Sequence, residues 1–176
     1  MAELLGSGYV GVEAGESLEL FLDARGVYYE RWEVQHKTSY FEQKLALSDA
    51  EKSELLHLYQ NSIADFAARK GYTKWDIVIL SEQTPDMLIK FGSAHYHLED
   101  EVRVVLGGAG IFTIKEEEAN RTFELKASPG DVVVIPAQRP HAFRLSDQPQ
   151  FIVVRLFEGE ASSITYPVDD LSFAVK

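Results

Sequence analysis

From Glu101 onward the chain is written almost entirely in short apolar runs separated by turn residues, and this most limits its fold. The runs are Glu101 to Leu106, Ile111 to Ile114, Arg121 to Leu125, Asp131 to Ile135, His141 to Leu145 and Gln150 to Phe157. Turn residues gather at Gly107-Gly108-Ala109-Gly110, at Ser128-Pro129-Gly130-Asp131 and at Ser146-Asp147-Gln148-Pro149, where glycine, proline and short polar side chains favour chain reversal. Runs repeating about every ten residues predict a sandwich or barrel rather than a parallel sheet with crossover helices. A small barrel can also enclose a dry cavity.

The preceding residues are more mixed. A segment through Leu18-Glu19-Leu20-Phe21-Leu22 leads to Gly26-Val27-Tyr28-Tyr29-Glu30-Arg31-Trp32-Glu33-Val34, whose aromatic and β-branched content predicts a strand. Ser48-Asp49-Ala50-Glu51 has the form of a capping box, and it opens a helix with Leu55, Leu56, Tyr59, Ile63 and Phe66 on one stripe. Arg69 and Lys70 suit its negative end and Gly71 its left-handed stop. Trp75 to Leu80 is strand-like, and a polar stretch with Pro85 then leads through Met87-Leu88-Ile89 to a histidine-rich segment.

In that segment, His95-Tyr96-His97-Leu98-Glu99-Asp100-Glu101-Val102-Arg103, an extended backbone turns His95, His97 and Glu101 to one side. Two imidazoles and a carboxylate converge there. Such a set suits a divalent first-row metal: iron, nickel, manganese or zinc. His141 follows about 40 residues later, after Pro140 and at the start of another apolar run, and is a fourth candidate. Arg103 shares the parity of these residues and is expected to face the same cavity as a fixed cation, with a structural salt bridge to a buried carboxylate as its other role. Phe91 and Phe143 have the parity to wall a pocket. Asp100 is a candidate acceptor for a ligand imidazole or, on the opposite face, a surface charge. His36 and His57 lack ligand-like neighbours and read as surface or packing residues.

Composition sets the remaining bounds. A chain of 176 residues fits one domain that buries about 70% of its unfolded surface. It is read as a single unit, with a strand-and-helix extension over 1–75 and a metal-binding barrel over 76–176. A net charge of −11 argues against nucleic-acid or anionic-membrane partners. Cysteine is absent, so disulfides are excluded. With no basic leader and no run of about 18 apolar residues, a cytoplasmic protein is expected. Nothing resembles a coiled coil, and a monomer is expected.

The spacing His-x-His-x-x-x-Glu, followed by Gly108-Ala109-Gly110, by Gly130-Asp131 with Ile135-Pro136-Ala137, and by Pro140-His141, resembles the two motif blocks of the cupin superfamily. Within the cupins the chain resembles the acireductone dioxygenases of methionine salvage over nearly its whole length. Gly26 to Trp32, Gly71 to Asp76, Glu99 to Arg103 and Val154 to Glu160 carry that likeness. The resemblance implies a mainly β, cupin-type barrel with an N-terminal strand and helices packed outside it. It also implies one Fe(II) or Ni(II) per chain, held by His95, His97, Glu101 and His141, with two coordination positions left for a chelating enediol. In that family bound iron directs cleavage by O2 to a 2-oxo acid and formate; bound nickel directs it to a shorter carboxylic acid, formate and carbon monoxide. Arg155 matches a family arginine without a role evident from sequence.

The likeness breaks at two places. Family members usually carry a tryptophan after the late strand, where this chain reads Ala161-Ser162-Ser163-Ile164, and bacterial members commonly carry one where this chain has Ala142. Small residues at Ala142 and Ser163, by the pocket that the resemblance implies, point to a larger or more polar substrate tail, or to a displaced loop. Two alternatives follow: a related cupin oxygenase acting on another enediol or a β-dicarbonyl compound, and a non-enzymatic cupin that binds a metal or small molecule.

Overall fold

A computed structural model of the chain describes residues 1–6, 17–159 and 164–174. It contains two antiparallel sheets that face one another. The six-stranded sheet runs β1 (Glu3–Leu5), β7 (Thr122–Ala127), β6 (Gly110–Lys115), β9 (His141–Leu145), β4 (His95–Tyr96) and β11 (Tyr166–Pro167). The five-stranded sheet runs β2 (Tyr28–Arg31), β8 (Asp131–Ile135), β5 (Glu101–Gly108), β10 (Gln150–Phe157) and β3 (Lys74–Ser81). The first strands are thus woven in, one per sheet, by pairing with β7 and β8.

Alternation along the strands makes two cores. On β3, Ile77 and Ile79 face outward and pack with Leu55, Ile63 and Phe66 from the helices α2 (Asp49–Leu58) and α3 (Gln60–Lys70). Val78 and Leu80 face inward, joining Phe112, Phe143 and Phe151 between the sheets. Burying a side chain of this size contributes about 1.5–3 kcal/mol, so both faces of the five-stranded sheet are held by packing.

Where one helix is expected from Ser48 to Gly71 there are two. The capping box is present, with Ser48 Oγ accepting from Glu51 N and Glu51 Oε2 from Ser48 N, and Gly71 ends α3 at φ 86°. Between them Tyr59 leaves helical geometry, buried and with its hydroxyl accepting from Gln35 N at 3.0 Å. Two short segments are also α-helical: α1 (Leu18–Asp23) and α4 (Pro85–Gly92). No helix among the described residues is long and apolar enough to cross a membrane.

The Ser128-to-Asp131 turn carries a testable linkage. Asp131 is fully buried; Oδ1 accepts from Tyr29 Oη at 2.8 Å and Arg31 Nη1 at 2.6 Å, and Oδ2 accepts from Ser128 N at 2.8 Å. Burial, then the bond to Asp131, pushes the Tyr29 phenol up to about 12. An unfolded tyrosine ionises near pH 10, so the stability tied to the neutral phenol is intact below pH 10 and is lost as pH rises towards 12. The expected loss is on the order of 2 kcal/mol. Urea unfolding at pH 9 and pH 11.5 checks it: the wild-type protein loses more stability between the two than Tyr29→Phe does, and equal losses would refute the linkage.

Candidate metal centre

The histidine segment is not one strand. Only His95 and Tyr96 extend as β4; the chain then bends through 97–100 and enters the opposite sheet as β5 at Glu101. His95 therefore comes from one sheet, Glu101 from the other, and His97 from the crossing between them. His141, first in β9, is the register partner of His95. The expectation of three residues on a single strand is corrected in its cause, while the four side chains do meet.

One potential donor atom from each of His95, His97, Glu101 and His141 lies within 4.8 Å of the others, and all four residues are buried. Each imidazole Nδ1 bonds a main-chain carbonyl: His95 to Ser93 O at 2.7 Å, His97 to Ile164 O at 2.8 Å and His141 to Arg139 O at 2.8 Å. A carbonyl only accepts, so each Nδ1 carries a proton and Nε2 is the nitrogen each ring turns toward the cluster. His97 Nε2 is 2.9 Å and His141 Nε2 3.1 Å from Glu101 Oε2. The His97 contact lacks hydrogen-bond geometry, and the buried Nε2 atoms of His95 and His97 have no hydrogen-bond partner. His141 Nε2 is within hydrogen-bond geometry of Glu101 Oε2, but two buried nitrogens left without a partner beside a carboxylate are what a shared cation would satisfy, so these residues fit a divalent metal.

Charge states agree with that fit. Burial, then the neighbouring His141, pushes the His95 imidazole down to about 4. Burial acts to raise the Glu101 carboxyl, but the Arg103 guanidinium and the His141 and His97 imidazoles outweigh it and hold it well below the ordinary range. Near neutral pH His95 is thus uncharged and Glu101 ionised, the states metal binding needs.

A cavity of about 10 Å³ opens beside the cluster, room for about one water molecule. Its polar lining is His95, Glu101, Arg103 and Arg155, and its apolar lining includes Phe91 and Phe143. Arg103 fills both expected roles: it borders the cavity and donates from Nη2 to Glu101 Oε2 at 2.9 Å. Burial, its largest influence, lowers its pKa. Arg155, in register with Arg103 and Asp76 on its two neighbouring strands, donates Nε and Nη2 to the Asp76 carboxylate at 2.8 and 2.5 Å.

Two expectations about side chains are corrected. Asp100 orients no imidazole, because every Nδ1 already has its carbonyl; it accepts instead from Tyr72 Oη at 3.2 Å and Ala137 N at 2.9 Å. Ala142 does not wall the cavity, because alternation along β9 turns it to the other face from His141 and Phe143. Ser163 lies outside the described residues. His36 and His57 are exposed. Sequence reasoning missed the inward walls Val78, Leu80, Phe112 and Phe151, which the period-2 alternation signals, and the three orienting carbonyls, which no residue type signals.

Facing sheets closed around a buried three-histidine, one-carboxylate cluster define a cupin with a divalent-metal site. The sequence profile of the ARD/ARD' family matches residues 22–165. Acireductone dioxygenase of Geobacillus kaustophilus is 38% identical over 168 residues, 94% of this chain and 93% of that enzyme. The enzyme of Geobacillus thermodenitrificans is 38% identical over 162 residues, 90% of each chain. The structure of acireductone dioxygenase from Bacillus anthracis, with a cadmium ion in its active centre, superposes with a TM-score of 0.76 at 30% identity over 96% of both chains. The chain belongs to the ARD/ARD' family, and it is a dioxygenase of the acireductone type.

Proposed function

We propose that His95, His97, Glu101 and His141 hold one Fe(II) or Ni(II) per chain, and that the substrate is an enediol of the 1,2-dihydroxy-3-keto-5-methylthiopentene type, cleaved with O2. The observation that carries this reading is the pair of buried, unpartnered imidazole nitrogens facing an ionised carboxylate beside a cavity. A bound ion supplies Lewis acidity and a template for the enediolate.

The chain's own groups supply the rest. The carbonyls of Ser93, Ile164 and Arg139 fix the imidazole planes. Arg103 holds Glu101 in place and keeps a positive charge at the cavity wall, where it stabilises an enediolate oxygen as charge develops. Phe91 and Phe143 keep water from the reacting end. The cavity is smaller than the substrate, so a wall yields on entry. Helix α4, which carries Phe91 and has no fully buried residue, is the wall we assign to that movement.

With Ala142 turned away, its small size offers no support for a different substrate tail. Family membership sets aside the non-enzymatic alternative. A cytoplasmic monomer serving methionine salvage completes the proposal.

The test mixes anaerobically prepared acireductone with iron- or nickel-loaded protein and follows its ultraviolet absorbance after oxygen is admitted. Decay faster than spontaneous oxidation is expected with either metal, with carbon monoxide released by the nickel form. Absence of acceleration would remove the substrate assignment.

A further inference from the structure

Of the carbonyls that aim the three imidazoles, one belongs to a residue whose own side chain is an anchor. Arg139 O, the acceptor for His141 Nδ1, lies in the loop 136–140 between β8 and β9. Two of its residues, Ala137 and Gln138, are exposed. On its outer side it borders a basin of about 480 Å³, with Gly26, Lys115 and Glu117 on the other walls. It also holds Gln138 at φ 63°, a left-handed conformation that residues with a side chain seldom adopt. A partly exposed loop with a residue in that conformation keeps its shape through tethers.

Three of those tethers fix the neighbours of Arg139. Gln138 N donates to His97 O at 2.7 Å, Ala137 N to Asp100 Oδ1 at 2.9 Å, and Lys115 N to Pro140 O at 2.9 Å. Arg139 has one main-chain bond, from its N to Pro136 O at 3.1 Å. Its buried side chain does more: Nη1 donates to Arg25 O at 2.9 Å and to Lys115 O at 3.3 Å, and Nη2 donates to Glu117 Oε2 at 2.9 Å. The Arg25 carbonyl is presented beside the left-handed turn at Gly26, φ 69°. A planar guanidinium making three bonds to two distant segments fixes the orientation of the residue that carries it.

We propose that Arg139 is a positioning residue for His141: by tying its loop to the Arg25 turn and the end of β6, it holds its own carbonyl against His141 Nδ1 and so keeps Nε2 aimed into the cluster. Arg139 borders the basin and is not among the walls of the cavity beside the cluster. The inference rests on the reading of the four residues as a metal centre.

Cobalt(II) serves as the probe, read in two ways. Its affinity is measured by competition with a chelator. In the proton NMR spectrum of the cobalt form, the Nδ1 protons of the three ligand imidazoles give separate, paramagnetically shifted, exchangeable signals. Arg139→Ala is expected to weaken cobalt binding about 10-fold, as loss of a group supporting a ligand does, and to broaden or remove one signal while two stay in place. Arg139→Lys keeps a cation that can donate to a main-chain carbonyl; it is expected to retain all three signals and to bind within about 3-fold of wild type, short of the loss that removal of a supporting group brings. Arg139→Gln, too short for both carbonyls, gives the alanine result if Arg139→Ala does not fold. Unchanged affinity with three unchanged signals would overturn the inference. So would joint loss of all three, since that marks collapse of the site rather than release of His141. A wild-type protein that takes up no cobalt would overturn the metal reading itself before Arg139 is altered.

Discussion

Replacing His97 with alanine is expected to lower bound divalent metal from about one ion per chain to a small fraction of that, and to abolish turnover. His97 is the one cluster residue that belongs to neither sheet; it sits on the crossing between β4 and β5, with its ring tied to Ile164 O. Its removal leaves two imidazoles on one sheet and a carboxylate on the other, without the donor between them. The protein should still fold. A single buried substitution costs about 0.5–3 kcal/mol against a typical total of 5–15 kcal/mol, and Glu101 keeps the Arg103 guanidinium at 2.9 Å, so no buried charge is stranded. Metal content by plasma mass spectrometry, with His57→Ala as an exposed control, decides it. Full retention of metal by His97→Ala would mean that the cluster does not hold the ion.

The strands of the barrel were legible because their signals are local. Asp131–Ile135, His141–Leu145 and Gln150–Phe157 begin and end where the apolar runs do, each run being closed by turn residues. Helices α1 and α4 were not legible. Six and eight residues make about two turns, too few for a 3.6-residue period to separate from a short apolar strand. The break at Tyr59 was hidden for another reason: it accompanies a contact with Gln35, 24 positions away.

The cluster was legible by residue type and spacing, though the geometry assumed for it was wrong. Equal parity on one strand would gather His95, His97 and Glu101; in fact a bend at 97–100 carries the chain from one sheet to the other. The same assumption left Asp100 facing either an imidazole or solvent, whereas it pins that bend to Tyr72 and Ala137. The orienting groups are main-chain oxygens from Ser93, Arg139 and Ile164. Main-chain atoms are common to every residue, so composition and spacing carry no trace of them. Arg155 acquires its account only from register, which sets it between Arg103 and Asp76.

That register makes Arg103 the second position where a large effect is expected: Arg103→Gln lowers kcat/KM roughly 10²–10³-fold, the scale of losing one fixed electrostatic donor, while metal content stays near one ion per chain. Two arginines face the cavity, but their charges are not equally available. Arg155 is matched by the Asp76 carboxylate through two bonds. Among the described residues Arg103 donates only to Glu101 Oε2 and the Val102 carbonyl, and Glu101 is the carboxylate that a bound ion would also draw upon. With the charge of Glu101 shared in that way, the Arg103 cation is left incompletely neutralised and can act on an enediolate in the cavity. Arg103→Lys keeps the charge but cannot donate to Glu101 and Val102 at once in the guanidinium's fixed geometry, so an intermediate loss is expected. Steady-state kinetics on metal-loaded variants, with metal content measured on the same samples, separates two roles. Activity lost at constant metal content places the guanidinium on the substrate, whereas parallel loss of both would mean that Arg103 serves only to hold Glu101.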